Sequence, residues 1–542
     1  MPRGPLRRWL LAVVALGLAA RIVRFAVDFP IWGDEAYVAC SFLTRDLAGL
    51  ARPLEFEMVA PLLWLLPTWG LSRLIAPEAW ALRLPALAAG IAALLLFAPF
   101  ARRAVGRSAG LAATALFAAS YYLVRHGAEV KPYAFDLLAG LLVSASAWRL
   151  LRAIRDPHGW ARFAAISAAA VWCSYPAVFV AGGALLVLGA VALRERRGDA
   201  IVRWLLAGAL VAVSFAAMYG AFGRHQQWSE ERVADARHWD DHFLPLAQPW
   251  LWPWWLLREL TGNLLAYPNG GPRFGSSATF LLVVAGGVSL WRRGRRRELL
   301  LLASPLLPML VASALRRYPF GGSARIALHL AVPICLLAGR GLVAVLASWR
   351  GARPRAPAPA AARARRAALG ARGCALAMAL WLVATIAADL LRPYKSIVDV
   401  KSRDAVEWLR DRSRPGDRWI VFGRYGAGGA GAPDLSRWRG SSGRLRYHLL
   451  LQARNAGAAL HWAPPPDSLA AGAAGRAWLV VYRDNEAPFP DELLAGYRAG
   501  LERRLGPPAD ATTFVLGPAS PDPATGAPRE ESLTFLVWPA AG

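Results

Sequence analysis

The chain is short of two things that small secreted or metal-binding folds depend on. It has four cysteines in 542 residues, Cys40, Cys173, Cys335 and Cys374, all in or beside apolar stretches and none in a C-x-x-C pair. They read as small hydrophobes, which excludes a disulfide framework and a cysteine-based metal site as organising features. Acid is also scarce: 36 Asp+Glu face 63 Lys+Arg, a net charge of +27. That excess would suit a nucleic-acid binder or a basic disordered tail. Yet 56% of the residues are hydrophobic, and they come in runs of membrane length. The first run continues to Phe29 without a clear small-x-small cleavage site, so it reads as an uncleaved span rather than a signal peptide.

Apolar runs long enough to cross a bilayer as helices fall near 9–27, 82–100, 109–124, 133–151, 161–193, 201–222, 275–291, 299–315, 326–347 and 373–391. The run 161–193 is too long for one crossing and is interrupted at Ser174-Tyr175-Pro176, so it is expected to be a hairpin of two spans. The run 58–76 contains Pro61 and Pro67, and charge decides its status. If it crossed, the basic loops that follow would move to the far side of the membrane. The positive-inside rule therefore predicts that 58–76 lies in the outer interface or re-enters. The outcome is about eleven spans, with the N-terminus inside and residues after about 392 outside. The loops assigned to the inner side hold 26 basic residues against four acidic ones, +22 of the +27. With the excess so placed, little is left to suggest nucleic acid as a partner.

The outer segments carry their own patterns. In the long first loop, 28–81, Val38, Phe42, Leu47 and Leu50 fit one face of an amphipathic helix lying on the membrane. The loop 223–274 contains Trp250, Trp252, Trp254 and Trp255, the composition of an interfacial belt. Beyond Arg392 the pattern turns soluble. Helices are expected over 402–413 and 490–505, and strands over 419–422, 477–482, 512–516 and 532–538. The fold class is thus an α-helical multi-pass membrane protein, with interfacial helices in its first outer loop and a small C-terminal α/β extracytoplasmic domain. The division is 1–391 and 392–542.

Three outer motifs hold the candidate chemistry. Asp34 and Glu35, in Trp32-Gly33-Asp34-Glu35-Ala36-Tyr37, form an acidic pair just beyond the first span. Such a pair can be a solvated loop; a carboxylate there can also take a proton from an attacking hydroxyl or amine. Arg125 to Tyr133 gathers Arg125, His126, Glu129 and Lys131 at a membrane boundary, with Asp136 one turn into the next helix. These groups either snorkel and pair with one another or hold a lipid phosphate. An acid inside a span needs a partner. The third motif, Arg316 to Arg325, puts Arg316, Arg317 and Arg325 on the outer side, against the charge bias. Two features are set aside. Gly426-Ala427-Gly428-Gly429-Ala430-Gly431 matches G-x-G-x-x-G after a strand, but Pro433 intervenes before any helix, and His448 reads as a lone structural histidine.

Together these motifs resemble the GT-C class of membrane glycosyltransferases, specifically the bacterial group related to protein O-mannosyltransferases, aminoarabinose transferases and Rgt-type sugar transferases. The resemblance covers roughly residues 10–345. It rests on Asp34-Glu35-Ala36-Tyr37; on Ala60-Pro61-Leu62-Leu63 followed by Ala81-Leu82-Arg83-Leu84-Pro85; on Glu129-x-Lys131-Pro132-Tyr133; and on Tyr318-Pro319-Phe320 with Arg325. It implies an inverting transfer of a hexosyl or pentosyl group from a polyprenyl-phosphate-sugar donor to an envelope acceptor, lipid, glycan or protein, on the outer face of a bacterial inner membrane. By that analogy Asp34 is the base with Glu35 beside it, and Lys131 and Arg325 contact the donor phosphate. Glu129 orients the acceptor or Lys131. Tyr133, Arg317 and Tyr318 complete the substrate-binding set. Where aminoarabinose transferases read Lys-Pro-Pro, this chain has Ala60-Pro61, which shifts the phosphate contact towards Lys131 and the arginines of 317–325. No metal-ligand cluster is legible, members of the class differ in metal use, and a metal-independent enzyme is expected. The alternative is a transporter or flippase of a polar lipid, which predicts inverted repeats and ionisable groups near mid-span.

Overall fold

The computed structural model describes residues 5–227, 237–351, 380, 383–393, 395–422, 442–462, 464, 466, 475–483, 491–517, 520–521, 528–529 and 531–540. The chain packs into two compact units. One comprises Met1–Val27, Val59–Thr68 and Arg83–Arg392, and the other Asp28–Met58, Trp69–Leu82 and Pro393–Gly542. A break falls at 392/393, beside the division read from composition, while two segments of the first loop pack with the C-terminal part.

The first unit is helical. Among the described residues, seven helices are long and apolar enough to cross a membrane: Leu6–Ala26, Ala79–Val105, Tyr133–Arg152, Ala177–Arg194, Gly198–Gln226, Arg296–Ala314 and Ala324–Ser348. Helices also stand at the sites of other expected spans, but Arg107–Ala118, Pro157–Cys173 and Ser277–Arg292 are shorter, and most of 373–391 lies outside the described residues. The run 161–193 is a hairpin, as its Pro176 predicts. One helix ends at Cys173 and the next begins at Ala177, with Ser174, Tyr175 and Pro176 between them. The proline-containing run 58–76 yields Leu62–Leu74, 13 residues or about 20 Å, too short for the roughly 30 Å hydrocarbon core.

Glycine lets two of these helices touch. A Cβ built on Gly286, in Ser277–Arg292, would collide with the Leu337 carbonyl of Ala331–Gly351, and one on Gly341 would collide with the Leu282 carbonyl. Backbone contact of this kind replaces the hydrophobic drive that lipid surroundings remove. Buried Leu, Ala and Phe side chains from many helices then form one continuous core.

The second unit is built on a five-stranded sheet. Its strands are β1 (Arg418–Phe422), β2 (Ala459–Trp462), β3 (Ala477–Arg483), β4 (Asp510–Val515) and β7 (Ser532–Trp538), in the order β2-β1-β3-β7-β4; β5 (Ser520–Pro521) and β6 (Pro528–Arg529) form a separate short ladder. β1 runs parallel to β2 and β3, whereas β7 is antiparallel to β3 and β4. The two-residue period of the strands sorts their side chains. Trp419, Val421, Trp478 and Val480 share one core with Val406, Leu409, Leu445 and Leu449 of the helices Ile397–Arg412 and Ser442–Ala456. Ile420, Phe422, Leu479 and Val481 share the other with Leu501 of Asp491–Leu505. The central strand AWLVVYR is accordingly apolar almost throughout, since both its faces are covered.

The amphipathic face expected in the first loop is split. Val38 and Phe42 are buried on the helix Gly33–Thr44 and Leu50 on a following 3-10 turn, but Leu47 sits beyond the helix end and is 51% exposed.

Candidate functional site

Asp34 and Glu35 occupy the first turn of Gly33–Thr44, where the helix dipole stabilises negative charge. Their environments differ. Asp34 is half-buried. Glu35 is fully buried and reaches back to accept from the backbone N–H of Trp32 at 3.4 Å, which ties down the helix start. The Nζ of Lys395 lies 2.8 Å from the centre of the Trp32 ring, and Tyr37 stacks on Phe56 at 4.8 Å. The acidic pair is therefore held in an ordered helix start, not in a solvated loop.

In the first unit the motif 125–133 folds as a short helix, Tyr121–Arg125, and a 3-10 turn, His126–Ala128; Pro132 then caps Tyr133–Arg152. Proline suits this cap because its ring presets the backbone angle and the cap needs no N–H there. The turn's ionisable groups are buried. Glu129 is at 0% exposure and Lys131 at 7%, and the Lys131 N–H donates to the Glu129 carbonyl at 2.8 Å. Glu129 Oε2 sits 2.7 Å from His126 Nδ1, and its Oε1 lies 3.6 Å from Arg125 Nε. The Tyr133 ring meets His126 edge-on at 5.3 Å.

Sequence reasoning missed the anchor of this turn. Asp389, in the last described apolar helix, accepts from Arg125 at 2.7 Å and forms an ion pair with Arg24 Nε, of the first helix, at 2.8 Å. Arg83 and Arg125 lie close enough to Arg24 to repel it. Arg21 is buried too; it donates to the carbonyls of Gly17 and Ala118, while its Nε and second amino group have no partner among the described residues. The missed signal was available. Arg21 and Arg24 stand inside one apolar run and Asp389 inside another, where a charge must be paired.

Asp136 has the partner its position demands, Ser174, supplied by the break between the two hairpin helices. The neighbouring Tyr175 hydroxyl bonds to Gln226 at 2.8 Å and to the Ala60 carbonyl at 3.1 Å. Tyr318 packs on Phe179 at 5.0 Å and donates to the Ile326 carbonyl at 2.7 Å. Burial, then the nearby Asp136 and Tyr133, push the Tyr318 phenol well above its ordinary value, so it serves as a donor. Tyr133, Asp136 and Tyr318 are thereby brought together. Arg325 is half-buried in the 3-10 segment Ala324–Leu330, whereas Arg317 is exposed.

Arg316 pairs with Asp240 and is committed to structure. Beside it the Gly321-Gly322 turn lies against the buried Glu259, which accepts from Arg258 and pairs with His242 Nδ1, each at 3.0 Å. Gly322 takes a left-handed φ of 81°, and its carbonyl accepts Asn263. Of the tryptophans in this loop, Trp250 and Trp254 are exposed as a belt requires, while Trp255 is buried against Phe320 at 5.5 Å.

Among the described residues, no group of three His, Cys, Asp or Glu is placed to hold a metal ion. Cys40, Cys173 and Cys335 are free thiols. His448 is buried beside Tyr447. The glycine-rich segment 426–431 lies outside the described residues.

Apolar helical hairpins with a small mixed α/β unit are an architecture found in solved structures. Two crystal structures of ArnT from Cupriavidus metallidurans share it. The apo form matches at a TM-score of 0.51 with 13% identity over 98% of each chain, and the form bound to undecaprenyl phosphate at 0.50 with 14% identity over 97% of this chain and 98% of that one. The archaeal oligosaccharyltransferase AglB from Archaeoglobus fulgidus, in complex with an inhibitory peptide and a dolichol-phosphate, aligns at a TM-score of 0.47 with 11% identity over 96% of this chain and 74% of that one. No family model and no curated protein matches the chain.

Proposed function

We propose that this chain is a membrane glycosyltransferase that moves a hexosyl or pentosyl group, with inversion, from a polyprenyl-phosphate carrier to an envelope acceptor. The observation that carries the reading is the buried, cation-rich turn of Arg125 to Lys131 among helices apolar enough to cross a bilayer. A donor that cannot leave the lipid has to meet its cations at the membrane. The ArnT structure bound to undecaprenyl phosphate, which has this fold, supports it.

Asp34 acts as the base. It takes the proton of the acceptor hydroxyl or amine as that atom bonds to the anomeric carbon, and the bond from that carbon to the phosphate oxygen breaks with its electron pair going to the polyprenyl phosphate. Lys131 and Arg325, assisted by Arg317, neutralise the departing phosphate. Glu35 holds the helix start that carries Asp34, Glu129 orients Lys131 or the acceptor, and Tyr133 and Tyr318 line the donor's path. The chemistry lies on the outer face of a bacterial inner membrane. About eleven spans, a cytoplasmic N-terminus and an extracytoplasmic C-terminal domain follow from the sign of the loop charges.

Sugar transfer in vesicles, from a radiolabelled polyprenyl-phosphate sugar to envelope extract, tests the assignment. Asp34→Asn should lose at least about a hundredfold in rate, the lower end of a positioned base's contribution, with membrane insertion unchanged. Near wild-type transfer in that variant would overturn it.

A further inference from the structure

The second unit contains a cleft that plays no part in the reaction proposed above. The segments Asp28–Ile31 and Glu78–Trp80 meet the helices Ile397–Arg412 and Ser442–Ala456 around it, leaving a solvent-open hollow of about 110 Å³. It is smaller than the enclosing pockets of small-ligand sites, about 300–1,000 Å³, and can cup only part of a ligand such as one sugar ring. Its lining is unlike the mainly apolar wall of most such sites. Asp28, Glu78 and Glu407 bring three carboxylates, Arg403 a guanidinium and His448 an imidazole, while Trp80 offers an indole that is 38% exposed.

We infer that this cleft is a saccharide-binding subsite for a glycan that carries no anionic group. Carboxylates and a guanidinium are planar, two-pronged hydrogen-bonding groups, matched to the vicinal hydroxyls of a sugar ring. An indole supplies the flat apolar surface on which the C–H face of such a ring lies. One acceptor is already waiting: Glu78 Oε2 is shielded from solvent and has no hydrogen-bond partner among the described residues. A buried acceptor in that state is unfavourable until a donor reaches it, and a sugar hydroxyl is such a donor. The formal charge of the lining, three carboxylates against Arg403, is negative. A phosphorylated or uronic sugar is repelled, whereas a neutral or amino-bearing one is not. The inference stands on the second unit's own residues and does not require Asp34 to be the base.

Saturation-transfer NMR on the purified full-length protein in detergent, with cellobiose, maltose and chitobiose as probes, is the test. At least one of the three should bind saturably, and glucose should compete better than glucose 6-phosphate. Glu407→Gln and Trp80→Ala should each weaken binding about tenfold at an unchanged melting temperature. Asp34→Asn should bind the disaccharide like the wild type, so failure of the transfer reading and failure of this one are told apart. If Glu407→Gln lowers the melting temperature, Trp80→Ala, at a partly exposed position, decides alone. Absence of saturable binding to all three probes, binding unchanged by Trp80→Ala, or preference for the phosphorylated sugar would each overturn the inference.

Discussion

Both units contain a carboxylate that gathers cations, and the two clusters are finished differently. In the second unit Asp417 is closed on all sides. It accepts the backbone N–H groups of Arg414 and Arg476 at 2.9 and 3.0 Å, the Trp478 indole at 3.0 Å and the Arg476 guanidinium at 2.8 Å. Those bonds tie the turn before β1 to the start of β3, and every lone pair is spent on structure. In the first unit Asp389 and Glu129 face Arg24, Arg83 and Arg125, with Arg21 nearby and two of its nitrogens unpartnered among the described residues. The cations gathered beside Lys131 suit the proposed phosphate leaving group.

Removing the hub of the open cluster should have the larger effect. Asp389→Asn leaves Arg24 and Arg125 buried without their shared anion, and breaking such a pair by one partner costs about 3–5 kcal/mol. Thermal unfolding in detergent should register a loss of that order, and sugar transfer should fall with it because Arg125 also supports Glu129. If Asp389→Asn is as stable as the wild type, the cluster is not held by its charges and the contrast with Asp417 collapses.

Asp417→Asn tests the closed cluster, with a smaller expected loss of about 1.5–3 kcal/mol, the range for hydrogen bonds to charged groups. Burial pushes the Asp417 carboxyl up, but the Arg414 N–H, the Trp478 indole and Arg476 outweigh it and hold it below the usual carboxylate range. A carboxylate whose value is lowered by folding stabilises at pH above its ordinary range near 4 and loses that contribution as pH falls through the folded value. The unfolding midpoint of the wild type should therefore drop between about pH 5 and pH 2, and that of Asp417→Asn should drop less. Equal slopes would remove Asp417 from the account.

The same contrast shows what was legible in the sequence. Periodicity located most helices and strands, and Pro176 with Ser174 marked the hairpin break, since each of these signals is local. The helix Ser442–Ala456 and strand β2 escaped: the helix follows the Gly- and Arg-rich stretch that obscures its start, and β2 has four residues, too few for alternation to declare itself. The motif 125–133 was visible as a run of ionisable residues. Its partner Asp389 was not, because it lies 264 residues further along the chain and only packing brings it there. Arg21, Arg24 and Asp389 were each detectable singly as charges inside apolar runs. Glu35 taught the reverse. A residue chosen as chemistry accepts the Trp32 N–H at the helix start, a role that its place two residues after Gly33 already permitted.

Arg317 gives the finest test, because it belongs to neither cluster. It is exposed, so nothing it touches should matter to folding, and Arg317→Ala should leave stability within about 0.5 kcal/mol. On the proposed function it meets the donor phosphate as a mobile, solvated cation, and removing it should raise the KM for the polyprenyl-phosphate sugar several-fold while kcat stays nearly constant. Its neighbour Arg316, paired with Asp240, should show the opposite split: a lower melting temperature for Arg316→Ala with the donor KM unchanged. If both variants raise the KM alike, the two arginines act as one cationic surface and pairing with Asp240 does not separate the structural cations of this loop from the functional ones. If only Arg317→Ala does, the division between spent and unspent charge extends to adjacent residues.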